Sequence, residues 1–120
     1  MKDLEKRGLL RFPVVPDVCE HNGHMFYALL PEWVDRNGLL RDLATNGINA
    51  IFHYVPLHAS PYGRDHGRTC GELTITENIS KRLIRLPLWL GLTEDQQFKV
   101  VEALVRPLEK CKKSYHRAAQ

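Results

Sequence analysis

The sequence predicts an α+β fold, a small mostly antiparallel sheet with helices packed on one face, and three observations carry that prediction. Two short apolar runs, His24–Leu30 and Ile48–Tyr54, have strand length. Three other stretches have a helical apolar period and recognisable caps. At 120 residues the chain suffices for one hydrophobic core and falls short of two domains.

The elements follow in order. Residues 1–22 contain Pro13 and Pro16 around a helix-poor stretch, Phe12-Pro13-Val14-Val15-Pro16, so they form an extended lead-in. His24–Leu30 is aromatic and aliphatic without clean alternation, as in a strand covered on both faces, and Pro31 ends it. A helix is predicted over Arg36–Asn46, with Asp35 as N-cap, Asn46-Gly47 as the stop, and Leu39, Leu40 and Leu43 as the buried stripe. Ile48–Tyr54 is the second strand. Ala59–Leu73 carries Pro61, Gly63, Gly67 and Gly71 and reads as a long loop. Thr74-Ile75-Thr76-Glu77 is a capping box opening a helix over Ile75–Leu83, with Ile75, Ile79 and Leu83 on one side. Leu86-Pro87-Leu88 is expected as an edge strand, since proline cannot donate a ladder bond. Thr93-Glu94-Asp95-Gln96 caps a last helix that buries Phe98, Val101, Leu104, Val105 and Leu108. Pro107 should kink or end that helix, leaving residues 110–120 as a basic, frayed extension. The globular part is thus 23–109.

Composition narrows the function. Charged residues are 26% and hydrophobic ones 43%, and the net charge is only +3, with the excess at the two ends. A nucleic-acid binder would carry a broader basic face. No apolar stretch is long enough to cross a bilayer, and the first residues lack the apolar core of a secretory signal. Cys19, Cys70 and Cys111 are odd in number and widely spaced, which points to a reducing compartment, the cytoplasm. Cys19 with His21 and His24, and His66 with Cys70, lack the paired spacing of a zinc site, so no metal is expected.

The densest chemistry lies in His53-Tyr54-Val55-Pro56-Leu57-His58, where a strand gives way to a loop and two imidazoles and a phenol arrive together. Such strand ends either present polar ligands to a rigid scaffold or satisfy their histidines locally. His53, Tyr54 and His58 are the substrate-binding candidates. Ser60, Arg64 and Arg68 on the same loop are weaker ones, and His24 reads as structural.

These residues also carry a likeness. His53–Pro61 resembles the HYxPLHxSP stretch of DegT/StrS-type sugar-nucleotide aminotransferases. Glu20–Tyr27 resembles that family's HNxHMFY block, and Glu77–Leu88 its SERLLRLPL segment. The blocks keep the family's order over about Gly8 to Leu108, and the likeness is strongest to transaminases that form dTDP-4-amino-4,6-dideoxygalactose. What is matched is the small C-terminal domain of fold-type-I enzymes that use pyridoxal phosphate.

The resemblance implies a lobe that lies against a large cofactor-binding domain or a homodimer partner, with a nucleotide sugar as ligand. In the family the positions matching His53-Tyr54 lie at the active-site rim and contact the sugar nucleotide. The Schiff-base lysine, the pyridine-nitrogen acid and the phosphate cup belong to the large domain. The seven lysines here are terminal or on polar helix faces, so no catalytic or cofactor-binding residue is expected in this chain, and it should not hold pyridoxal phosphate alone. Two readings follow: the C-terminal lobe of a nucleotide-sugar aminotransferase, acting on a dTDP-4-keto-6-deoxyhexose, or a free-standing nucleotide-sugar-binding or protein-interaction module.

Overall fold

A computed structural model of the chain describes residues 2–118. Three strands form one sheet: β1 (Phe26–Leu29), β2 (Ile51–Phe52) and β3 (Leu83–Leu86). Their order is β1-β3-β2, and both neighbours run antiparallel to β3. β1 and β2 are therefore parallel to each other. The helix between them, α2 (Arg36–Thr45), makes the crossover that leaves room for β3, a split β-α-β arrangement. The register places Phe26 opposite Leu86 and Ala28 opposite Ile84, which in turn faces Phe52.

β3 is the central strand, a correction to the edge strand expected at Leu86-Pro87-Leu88. A central strand needs donors toward both neighbours, so pairing stops at Leu86 and Pro87 falls just outside it. β1 and β2 are shorter than their apolar runs. The flanking apolar residues Leu30, Ile48 and Ala50 enter the core from outside the ladder.

Helix α2 forms as its sequence predicts. Asp35 caps it, its carboxylate accepting from Asn37 N at 3.0 Å, and Leu39 and Leu43 are buried. Beyond Asn46, Gly47 takes φ +73° and Ile48 N donates to Leu43 O at 2.9 Å, a left-handed glycine stop.

The final helix, α5 (Glu94–Ala118), starts at the expected capping box. Gln96 N donates to Thr93 Oγ1 at 3.3 Å, and Thr93 N donates to Gln96 Oε1 at 3.0 Å. Val100, Leu104 and Leu108 are buried, and Val101 and Val105 are partly so. Phe98, expected in the core, is 66% exposed. It lies instead with Trp89 and Leu90 on an apolar groove of about 700 Å³.

Pro107 does not end α5, and the tail is docked rather than frayed through its described part, with residues 119–120 of the expected extension outside the described residues. The Arg7 side chain pairs with Glu109, Lys112 Nζ donates to Arg7 O at 2.5 Å, and the Trp33 and Tyr115 rings stack at 6.1 Å. The partner that fixes the tail is the lead-in, whose first part is not extended. Lys2–Lys6 form a short helix, α1, and Leu4, Leu9 and Leu10 are buried in the core. Arg11 then exchanges two backbone hydrogen bonds with Leu29 at the free edge of β1.

The segment 57–82 is more ordered than the predicted loop. A 3-10 turn (Leu57–Ala59) leads into α3 (Pro61–His66), capped by Ser60, and α4 (Thr74–Arg82) runs straight into β3. The capping box expected at Thr74 does not form. The N-cap is Leu73 with no side-chain bond, and the Glu77 carboxylate lies against His58. The predicted stripe fails as well: Ile75 is 77% exposed and α4 has no buried residue.

Candidate functional site

His53 and Tyr54 follow directly on β2, so the sheet sets their position. The two rings meet edge-on, with centroids 5.0 Å apart. Arg85 of β3 also lies against Tyr54, its guanidinium carbon 5.3 Å from the phenol ring centroid. Sequence reasoning missed Arg85. Its only signal was a cation inside the apolar run Leu83–Leu86, which a paired central strand rarely tolerates without purpose.

Two polar atoms of this cluster are buried without a hydrogen-bond partner, Nδ1 of His53 and Nε of Arg85. Such a group costs about 1–3 kcal/mol when left unmade. Tyr54 itself is 68% exposed.

Tyr54 lines a cavity of about 370 Å³ with Phe52, Val55 and Pro56 as its apolar wall. Arg36, Arg64 and Lys81 face the same space against one carboxylate, Glu77, so its charge favours an anionic ligand. Arg36 is already engaged: it donates to Ser80 O at 2.7 Å and lies over the Phe52 ring.

His58 sits apart from His53. It is on the 3-10 turn with Nε2 3.3 Å from Glu77 Oε1, and it lines a second cavity of about 560 Å³ with Arg68, Thr69 and Cys70. Arg64 borders both cavities and joins them into one basic surface. The structure therefore divides the predicted trio, with His53 and Tyr54 in one cluster and His58 in its neighbour.

The weaker candidates separate. Ser60 is occupied by its own backbone, donating to Leu57 O at 2.7 Å and accepting from Gly63 N at 3.0 Å. His24 is held by Asn22, with Nδ1 2.5 Å from Asn22 Oδ1, in the local role expected of it. Among the described residues no three His, Cys, Asp or Glu side chains converge as metal ligands. None of the described helices is long and apolar enough to cross a membrane.

Pyridoxal phosphate would need a lysine in a dry pocket, an acid against its ring nitrogen and a cup for its phosphate. No charged or polar side chain is buried among the described residues. Lys6, Lys81, Lys99, Lys110 and Lys113 are exposed, and Lys112 is spent on the Arg7 carbonyl. Among the described residues none fits the cofactor in these roles.

Comparison with known proteins bears on these features. Residues 1–105 match the DegT/DnrJ/EryC1/StrS aminotransferase family. The dTDP-3-amino-3,4,6-trideoxy-alpha-D-glucose transaminase of Micromonospora megalomicea subsp. nigra is 28% identical over 104 residues, which are 87% of this chain and 28% of that protein. A pleiotropic regulatory protein of Geobacillus stearothermophilus is 30% identical over 92 residues, 76% of this chain and 25% of its own length. Among solved structures, S. venezuelae DesV in complex with a ketimine intermediate superposes with a TM-score of 0.72 at 25% identity, over 89% of this chain and 30% of that one. An aminotransferase from Brucella abortus has the same fold, with a TM-score of 0.71 at 22% identity over 86% and 26% of the two chains. The chain spans about a quarter of the length of the curated relatives it matches.

Proposed function

The chain belongs to the DegT/DnrJ/EryC1/StrS aminotransferase family, and from that premise we propose that it is the small C-terminal lobe of a nucleotide-sugar aminotransferase. In this reading it shapes the substrate rim of a pocket whose pyridoxal phosphate is held by a large lobe or by a dimer partner. Alone it does not transaminate. The substrate is a dTDP-4-keto-6-deoxyhexose, and the compartment is the cytoplasm, where Cys19, Cys70 and Cys111 stay reduced.

One observation carries the reading. None of residues 51–83 is buried, although they form two helices and carry the His53-Tyr54 and His58 clusters. Tyr54, Val55, Leu57, Tyr62 and Ile75 all point their apolar surface outward there. A stretch so rich in exposed apolar groups is shaped for a partner surface, and its basic cavities suit a diphosphate at that boundary. His53 and Tyr54 then contribute an imidazole and a phenol at the rim, with His58 beside them on the 3-10 turn.

The test is to graft this chain in place of the C-terminal quarter of the Micromonospora transaminase and to assay it beside the chain alone. The chimera is expected to move an amino group to a dTDP-linked keto sugar, while the isolated chain neither yellows with pyridoxal phosphate nor turns over. His53→Ala in the chimera should raise KM for the sugar nucleotide about tenfold, the loss of one charge-assisted hydrogen bond, with cofactor absorbance retained. Unchanged KM removes His53 from the rim. Unaided transamination by the 120-residue chain overturns the lobe reading.

A further inference from the structure

The last turns of α5 lie beyond the segment that matches the aminotransferase family, which ends at residue 105. Residues 106–120 hold five basic side chains and one acidic one, a net charge of +4 against +3 for the whole chain, which leaves residues 1–105 at −1. Four of those cations form a row. With about 100° of turn per residue, Arg106, Lys110, Lys113 and Arg117 all fall within about 40° of the line opposite buried Leu108. All four are exposed, and none pairs with a carboxylate among the described residues.

The opposite side of the same turns is fixed. Leu104 and Leu108 are in the core, Glu109 pairs with Arg7, Lys112 Nζ donates to Arg7 O at 2.5 Å, and Tyr115 stacks on Trp33. The row is thus held outward on an anchored helix, about 16 Å long over three turns. Its members repel one another, since like charges three and four residues apart destabilise a helix. The helix dipole offsets this only in the last turn, at Arg117. No carboxylate of the described chain relieves Arg106, Lys110 and Lys113, whereas an acidic partner would.

We propose that this row is a docking surface for an acidic helix of a partner protein, one with carboxylates at the same four- and three-residue steps. Width and spacing select that occupant. The row is one side chain wide, flanked by Pro107 and Ser114 on one side and by Glu109 and His116 on the other. A nucleic acid asks for a broader basic face. Basic helices that hold an anionic bilayer also insert an apolar face, and here that face is in the core. Steps of four, three and four residues are those at which a second helix keeps contact along its length. The inference stands apart from the aminotransferase reading, whose matched residues are 1–105.

The experiment measures binding of the 120-residue chain to labelled probes by fluorescence anisotropy, and to vesicles by co-sedimentation. One probe is an alanine-rich peptide of about 20 residues, long enough to be helical, with glutamates in steps of four, three and four. A second has the same composition with its glutamates spread round the helix. Single-stranded DNA and phosphatidylglycerol vesicles are the other arms. The first peptide is expected to bind saturably, about tenfold tighter than the second, and to weaken about tenfold from low to physiological salt. Lys110→Gln together with Lys113→Gln should loosen it about tenfold, while Lys110→Arg with Lys113→Arg should retain it. Arg41→Gln, which removes a cation from α2, should leave it unchanged. Equal affinity for the two peptides, no binding of the first, tighter binding of DNA or vesicles, or indifference to the paired glutamine substitutions overturns the proposal. Turnover of the chimera reads the aminotransferase proposal alone, so either can fail without the other.

Discussion

Residues 4–50 with 84–108 and residues 51–83 are held together by different forces. The first set contains every buried side chain described, with Leu9, Leu30, Leu43, Ile84, Leu104 and Leu108 almost wholly removed from water. The second contains none and is stitched on by polar contacts. Arg36 donates to Ser80 O, Arg82 Nη1 donates to Leu30 O at 3.2 Å, and Asn78 Nδ2 donates to Glu32 Oε1 at 3.2 Å. Hydrogen bonds of this kind fix geometry but add only about 0.5–1.5 kcal/mol each. The core gives the lobe its stability, and the stitched segment keeps its apolar side chains free for something outside. That division places His53, Tyr54, His58 and Arg64 on the part that costs the fold least to rearrange.

The largest effect that tests this contrast is in the core. Leu104→Ala should lower unfolding free energy by about 2–5 kcal/mol, because α5 and the sheet cannot collapse around the cavity. Leu57→Ala, at a residue 85% exposed, should change it by less than about 0.5 kcal/mol. Urea unfolding of the two variants gives the comparison directly. Similar losses in both would mean that residues 51–83 share the core's stability and that the division is wrong.

Legibility in the sequence follows the same line. Where the chain builds its own core, local rules worked: Asp35 and Gly47 bracket α2, and Thr93 with Gln96 opens α5. The stripe Leu39, Leu43, Leu104 and Leu108 is buried as its period requires. Where burial depends on a distant segment, the rules failed. Nothing near Leu4 or Lys110 announces that α1 and the end of α5 hold each other through Arg7, Glu109 and Lys112. In 51–83 Ile75, Ile79 and Leu83 keep a helical period, but the helix turns Ile75 to solvent and not to this chain's core. His53 and Tyr54 stood out because they break a strand pattern. Arg85 did not, because its partners Tyr27 and Ile51 lie across the sheet and only the strand order brings them together.

A local effect of intermediate size is expected at Gly63. A Cβ there would lie 1.7 Å from the Leu57 carbonyl oxygen, a backbone atom that cannot yield without moving the 3-10 turn. Gly63→Ala should therefore detach α3 from that turn and speed proteolytic cleavage within 57–73 several-fold, with the urea midpoint nearly unchanged. The cavity that His58 shares with Arg64 and Arg68 would lose its shape at the same time. A large drop in the midpoint would show that α3 is coupled to the core, and the two regions would then be one cooperative unit.

The smallest effect on folding is also the sharpest on assembly. Ile75 is exposed on α4, so Ile75→Ser should leave the isolated chain's stability within about 0.5 kcal/mol of wild type. If a cofactor-binding lobe covers this helix, the same change removes a side chain whose burial is worth about 1.5–3 kcal/mol. The grafted chimera should then lose thermal stability while the isolated chain does not, and the isolated chain should self-associate less in sedimentation. Equal behaviour of variant and wild type in both settings would place the partner elsewhere, with the groove of Trp89, Leu90 and Phe98 at the far end of β3 as the next surface to probe. The order of these outcomes matters, because only a residue that is silent in the lobe and costly in the assembly separates a partner surface from an apolar group that is merely left exposed.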